Sequence, residues 1–393
     1  MAEEAGLIEA FPGTRMPSST ILLTNFVAPY RLPLFKKLQE ALPNFRIYVS
    51  TSMERGRAWE VDHAGLNISI HKNLTFRRKW KHPGGFTEIL NLHVPWDTFP
   101  VLRRSQPELV ISAEMGFRSL FAALYRSTHR RSRLILWATT SERTEQGRSV
   151  VRRLVRRWLF SRADGVIVNG ESGARYVRSF AVEDRKIFRV PQSADISGER
   201  GASPAPLDDN RKSRRLLFVG QLTERKGLAQ FLESICRWSQ ANGGNQVELW
   251  IAGDGPLRSS LQAREFPANV AVRWFGNLSY QEISELYLQA GILVFPTLAD
   301  EWGMVVGEAM QAGLPVLGSV YSQAVEDLVE EGVNGWTFYP NIPESIDHAL
   351  QRALSATPEI LSSMRRAAHL RGRELAPEQV ALKMLAAIGT VCE

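Results

Sequence analysis

The chain has 393 residues, 48 Lys and Arg against 41 Asp and Glu, and a net charge of +7, with the basic excess in its N-terminal half. That length is about twice a usual domain, so two domains, each with a full core, are expected. Two cysteines, Cys236 and Cys392, are too few for a disulfide framework and fit a reducing compartment, and an acidic start, MAEEAGLIEAFPG, does not read as a signal peptide. The longest apolar stretches are broken by Asp300, Glu301 and Glu308, so no transmembrane helix is expected and the protein is read as cytoplasmic. The charge gives no aromatic-interleaved basic motif or recognised binding module, so nucleic acid is not an expected partner.

Short apolar runs rich in β-formers alternate with helical patterns along the chain, the pattern of parallel sheets covered by helices. Strands are predicted in the first half at Ile21–Phe26, Phe45–Val49, Leu109–Ser112, Leu134–Trp137 and Gly165–Asn169. In the second half they are predicted at Leu216–Gly220, Val247–Ala252, Val270–Phe275, Leu293–Pro296 and Val316–Gly318. Between the halves, SGERGASPAPLDDNRKS is rich in Gly, Pro, Ser and charge and reads as a linker. The boundaries become 1–197 for a first domain, 198–213 for the linker, 214–375 for a second domain, and 376–393 for an apolar-faced helix that packs on either domain.

In the first domain, TNFVAPYRLPLFKKLQEAL reads as strand, turn and helix and puts Tyr30 and Arg31 at a strand end; ISAEMGFRSLFAALY does the same for Glu114 and Arg118. Charged residues also decorate such junctions without function. The stretch LILWATTSERTEQG offers Thr139, Thr140, Ser141 and Glu142 as polar groups and contains no histidine. RSVVRRLVRRWLFSRAD, Arg148–Asp164, is a basic amphipathic helix. Two readings stay open for it: contact with an anionic membrane surface, or a surface helix whose apolar face joins the core.

The second domain opens on LLFVGQLTERKGLAQFLESI, a strand, a glycine, a short loop and a helix, where Arg225 and Lys226 read either as phosphate-binding cations or as solvated basic surface before the helix. LWIAGDGPL ends a strand in a glycine turn at Gly253, and VRWFGNLSYQEISELY places Asn277 and Leu278 after another strand. Most informative is LVFPTLADEWGMVVGEAMQAGLPV. Its carboxylates Asp300 and Glu308 flank Gly303, where backbone can approach a ligand, and the amides of Gly303, Met304 and Val305 open a helix and can face a diphosphate. The plainer reading of the two acids is that they merely cap that helix and favour its positive end.

In order, VGQLTERKG, IAGDGP, WFGNLSYQEISELY, PTLADEWGMVVGEAM and AGLPVLGS resemble the donor domain of retaining glycosyltransferases of the GT-B fold, glycosyltransferase family 4 (group 1), over Leu216 to about Tyr339. The first loop, with Tyr30 and Arg31, is similar to that of some members, including sugar-polymer enzymes. The resemblance implies an α/β fold of two Rossmann-like, doubly wound domains facing a central cleft. It also implies transfer of a sugar from a UDP- or GDP-sugar to a glycan or lipid-linked hydroxyl, with retention, in polysaccharide or glycolipid synthesis. Arg225 and Lys226 fall where the family holds the diphosphate, and Gly303, Met304 and Val305 where backbone meets sugar and phosphate. Glu308 falls where the family grips the ribose, and Asp300 where the transferred sugar is bound. Gln221, Gly253, Asn277 and Leu278 complete the implied donor site; Tyr30, Arg31, Glu114 and Arg118 are acceptor-side candidates. Asp300 stands where the family usually has glutamate, with Glu301 beside it as a substitute, and Gln221 stands where arginine is frequent. A diphosphate held by cations and amides implies no metal and no cofactor beyond the donor. The rival reading is a non-catalytic GT-B-like protein acting as a membrane-associated binding or assembly factor.

Overall fold

The computed structural model describes residues 11, 13–53, 65–196, 214–243 and 245–393. The linker expected at 198–213 lies outside the described residues. The chain divides into two compact units: Met1–Pro83 with Glu88–Ser193 and Ala376–Glu393, and Gly84–Thr87 with Ala194–Leu375.

The first unit is built on a seven-stranded sheet in the order β3-β2-β1-β6-β7-β8-β9. Its strands are β1 (Thr20–Thr24), β2 (Phe45–Val49), β3 (Ile68–Ile70), β6 (Leu109–Ala113), β7 (Arg133–Ala138), β8 (Gly165–Val168) and β9 (Ile187–Arg189). All pairings are parallel, and the central strands are buried on both faces, as continuous apolar runs such as TILLT and LVISA require. Alternation along β1 splits the core: Leu22 packs with Phe35, Leu38 and Trp137 on one face, while Ile21 and Leu23 pack with Val110, Tyr125 and Leu136 on the other. The last helix, Pro377–Cys392, buries Val380, Met384, Leu385 and Ile388 in the Leu22 face, so the C-terminus belongs to this unit. A two-stranded hairpin, β4 (Asn73–Lys81) and β5 (Thr87–Pro95), stands apart from the sheet.

The second unit carries a six-stranded parallel sheet in the order β12-β11-β10-β13-β14-β15. These strands are β10 (Arg215–Val219), β11 (Val247–Ala252), β12 (Val270–Gly276), β13 (Ile292–Phe295), β14 (Val316–Ser319) and β15 (Gly335–Phe338). Leu216 and Phe218 face one apolar layer, Leu217 and Val219 the other.

Both sheets are doubly wound, and this fixes where a ligand can sit. In the first unit the strand order turns back between β1 and β6; in the second it turns back between β10 and β13. Loops leaving the carboxyl ends of such a pair diverge and leave a crevice, the usual ligand position in an open α/β sheet.

Candidate functional site

At the turning point of the second unit, the loop after β10 and the loop after β13 are laced together through backbone. The Arg225 carbonyl accepts from the Leu298 amide at 2.8 Å and from the Thr297 hydroxyl at 3.1 Å. This lacing brings residues 74 positions apart into contact: Lys226 Nζ lies 2.6 Å from Asp300 Oδ2, and an Arg225 guanidinium nitrogen lies 3.5 Å from the same oxygen and 3.2 Å from the Ala299 carbonyl. Asp300 is buried; burial alone raises its carboxyl, but Lys226, Arg225 and the Trp302 amide outweigh that and hold it below the ordinary aspartate range. The carboxylate is therefore ionised and the cations are fixed over it.

The chain then turns through Gly303, whose φ of 106° suits glycine and where a Cβ would lie 2.8 Å from both the Phe295 ring and the Ser322 hydroxyl. Gly303 caps the helix Met304–Gln311 without a side-chain bond, so the amides of Met304 and Val305 open the helix, where no intrahelical acceptor exists. Neither acid caps this helix, against the plainer reading of the pair. Asp300 pairs with Lys226, and Glu308, one turn further on, accepts from the Tyr287 hydroxyl at 2.8 Å. Burial pushes Glu308 up to about 6, with the Tyr287 bond opposing; the same burial, with Glu308 nearby, pushes the Tyr287 phenol well above its ordinary value. Glu301, beside Asp300, is exposed, so it is the Asp300 carboxylate that meets the cations.

The remaining donor-side candidates line the same carboxyl edge. Gln221 is exposed in the loop after β10. Gly253 follows β11, where a Cβ would come within 1.9 Å of the Gly220 carbonyl, so close backbone packing by itself demands glycine there. Asn277 is exposed and Leu278 half-buried after β12, just ahead of a helix that Ser279 and Glu282 open with a capping box.

The first unit gathers three of its four candidates at its own turning point. Glu114, at the end of β6, lies 2.5 Å from Arg31 and 2.6 Å from Arg118, and accepts from the Thr24 hydroxyl at 2.9 Å and the Asn25 amide at 3.0 Å. Arg118 also donates to Ser50 and to the Ala113 carbonyl. Burial would raise the Glu114 carboxyl, yet the two guanidinium groups keep it low. Arg31 also stacks over Trp137 at 5.0 Å. Tyr30 is half-buried outside this network. Glu114 and Met115 hold φ of 57° and 40°, uncommon for non-glycine residues and a mark of a position fixed by its surroundings. Thr24, Asn25 and Ser50, not singled out from sequence, complete the cluster; their signal was position, each at or just past the carboxyl end of a strand. Thr139, Thr140 and Ser141 are buried after β7, and Glu142 pairs with Arg175. Among the described residues no group of three His, Cys, Asp or Glu side chains is placed to hold a metal.

Comparison with known proteins fits this geometry. Residues 200–371 match the glycosyl transferases group 1 family. An uncharacterized glycosyltransferase of Methanocaldococcus jannaschii is 31% identical over 196 residues, 45% of this chain and 49% of that protein. A sucrose synthase of Acidithiobacillus caldus is 27% identical over 213 residues, 49% of this chain and 27% of that protein. The chain thus spans half or less of the length of these curated relatives. Anabaena HepE, solved in complex with UDP, matches with a TM-score of 0.69 at 14% identity, over 94% of this chain and 98% of that one. The fold is that of the solved GT-B glycosyltransferase structures, and the group 1 family match falls within the second unit.

Proposed function

We propose that the protein is a retaining glycosyltransferase that moves a sugar from a UDP- or GDP-sugar to a hydroxyl of a glycan or lipid-linked acceptor, in polysaccharide or glycolipid synthesis. The observation that carries this reading is the joining of Arg225, Lys226 and Asp300 at the turning point of the second sheet, one short turn before the free amides of the helix Met304–Gln311. In the resting protein Lys226 is paired with Asp300. A donor diphosphate takes over Lys226 and Arg225, and the released Asp300 carboxylate accepts bonds from hydroxyls of the transferred sugar. Glu308, ionised above about pH 6, accepts from the ribose hydroxyls.

In the transfer step the acceptor oxygen bonds to the anomeric carbon as its bond to the diphosphate oxygen breaks, and the acceptor proton passes to the departing phosphate on the same face. Arg225, Lys226 and the Gly303–Val305 amides stabilise the charge that grows on the leaving group. Cations and amides carry that charge without a metal. The Thr24–Glu114–Arg118 cluster shapes the acceptor side. The group 1 match and the assembled cation–carboxylate site favour catalysis over a binding-only protein.

Thermal unfolding in a panel of UDP- and GDP-sugars tests the reading. One donor class should raise Tm for the native protein, and the rise should vanish in Lys226→Ala and in Glu308→Ala. No shift with any nucleotide sugar would remove the proposed donor site.

A further inference from the structure

The helix Val150–Arg162 and the β4–β5 hairpin take no part in the proposed transfer, and both turn apolar side chains outward. The helix docks through Arg156, Leu159 and Phe160. Glu145 is buried at its base, 2.8 Å from Arg152 and 3.3 Å from Arg156, and Arg156 is itself buried along with Leu159 and Phe160. Leu159 and Phe160 thus join the core, while Val150, Val151 and Leu154 at the other end of the helix stay at 72%, 70% and 62% exposure. On β4, alternation puts Leu74, Phe76, Arg78 and Trp80 on one face, with Leu74 and Phe76 more than half exposed. This face meets the loop that leads into the helix: the Arg148 guanidinium lies 3.3 Å from the Trp80 ring centre, and a His82 ring nitrogen lies 2.8 Å from the Arg143 carbonyl.

Singly exposed apolar residues are ordinary on a protein surface, but here five large ones stand on two adjoining elements among exposed Arg77, Arg78, Lys79, Lys81, Arg153 and Arg157. Neither β4 nor the helix contains an acidic residue. We propose that the hairpin and the helix form one docking face for an anionic lipid bilayer. Leu74, Phe76, Val150, Val151 and Leu154 enter the interface, and the cations meet lipid phosphates. A second copy of this chain suits the face poorly, because it would bring two rows of like charge together. The inference rests on the glycosyltransferase reading only in what it adds to it: the acceptor is a hydroxyl presented at a membrane surface.

The full protein is co-sedimented with vesicles of phosphatidylcholine alone and of phosphatidylcholine mixed with phosphatidylglycerol. Wild type should partition to the anionic vesicles only, and less as salt is raised. The paired variants Val151→Ser/Leu154→Ser and Leu74→Ser/Phe76→Ser, at sites too exposed to disturb folding, should each lose about tenfold or more in partition while unfolding at the wild-type temperature. Equal binding to both vesicle types, or full binding by either paired variant, overturns the proposal. So does a vesicle-independent dimer abolished by Leu154→Ser, which would give the face to a second copy. The nucleotide-sugar thermal shift on the same samples separates the two readings. Vesicle binding without a donor shift sinks the transferase and leaves the docking face; a donor shift without vesicle binding does the reverse.

Discussion

Removing Lys226 should expose how much of the second unit's stability is stored in its resting ion pair. Asp300 and Lys226 have side chains only 12% and 15% exposed, so solvent screens little of their interaction. Breaking a buried pair by deleting one partner costs roughly 3–5 kcal/mol, most of it the penalty of stranding the other charge. Arg225 remains 3.5 Å from Asp300 and offsets part of that, which leaves about 2–3 kcal/mol for Lys226→Ala. In a unit of this size that lowers Tm by about 5–10 °C. Asp300→Asn in the same chain removes the stranded charge, so the double variant should recover most of the loss, with a coupling of at least about 1 kcal/mol. The pH dependence has a fixed sign. Asp300 titrates below its ordinary value when folded, so its contribution is full above the unfolded value and fades as pH falls through the folded one. The gap between wild type and Lys226→Ala should therefore narrow in acid. Differential scanning calorimetry of the four proteins across pH measures all of this; wild-type stability in Lys226→Ala, or strict additivity in the double variant, would show that the pair is not formed. Recovered stability must come without recovered transfer, since the double variant lacks both the cation and the carboxylate to which the proposed function gives the phosphate and sugar contacts.

Four further outcomes follow from the same packing. Glu308, pushed up to about 6 by burial, costs stability once ionised, so Glu308→Gln should stabilise the protein at pH 8 by up to about 2 kcal/mol in urea unfolding and flatten stability between about pH 4.5 and 6, while weakening donor binding. Wild-type donor affinity, followed by calorimetric titration, should fall as pH drops through about 6. Glu114→Ala strands Arg31 and Arg118 and should destabilise the first unit by about 3 kcal/mol, read as a lower urea midpoint. Ile388→Ala opens a cavity in the core shared by β1 and the last helix and should cost about 2–5 kcal/mol; a smaller loss would show that this helix is loosely docked.

The central strands were legible because burial on both faces writes a continuous apolar run; Phe45–Val49 and Val247–Ala252 were located to the residue. The strands overlooked were short edge pieces, β3 and β9, together with β15, and the β4–β5 hairpin, where the run FRRKWK hides a two-residue alternation under charge. The order of glycines and acids after β10 and β13 pointed to the turning point of the second sheet, where Arg225, Lys226 and Asp300 come together. The Lys226–Asp300 contact was invisible, since it depends on two parallel strands bringing together loops far apart in sequence. In the first unit, Arg31, Glu114 and Arg118 were found individually, but not their mutual pairing, which holds Glu114 at a positive φ. The helix Val150–Arg162 divides between the two readings left open for it: Leu159 and Phe160 join the core beside Arg156, which pairs with Glu145, while Val150, Val151 and Leu154 stay exposed.

The most direct test of the account is release of nucleoside diphosphate from the donor that stabilises the protein, measured with a hydroxyl acceptor supplied in anionic vesicles, together with the anomeric configuration of the product by NMR. Release that depends on acceptor, retains configuration, and disappears in the folded Lys226→Ala/Asp300→Asn protein is the expected result. Undiminished release by that double variant would contradict the account at its centre, and an inverted product would replace same-face displacement with attack from the opposite side.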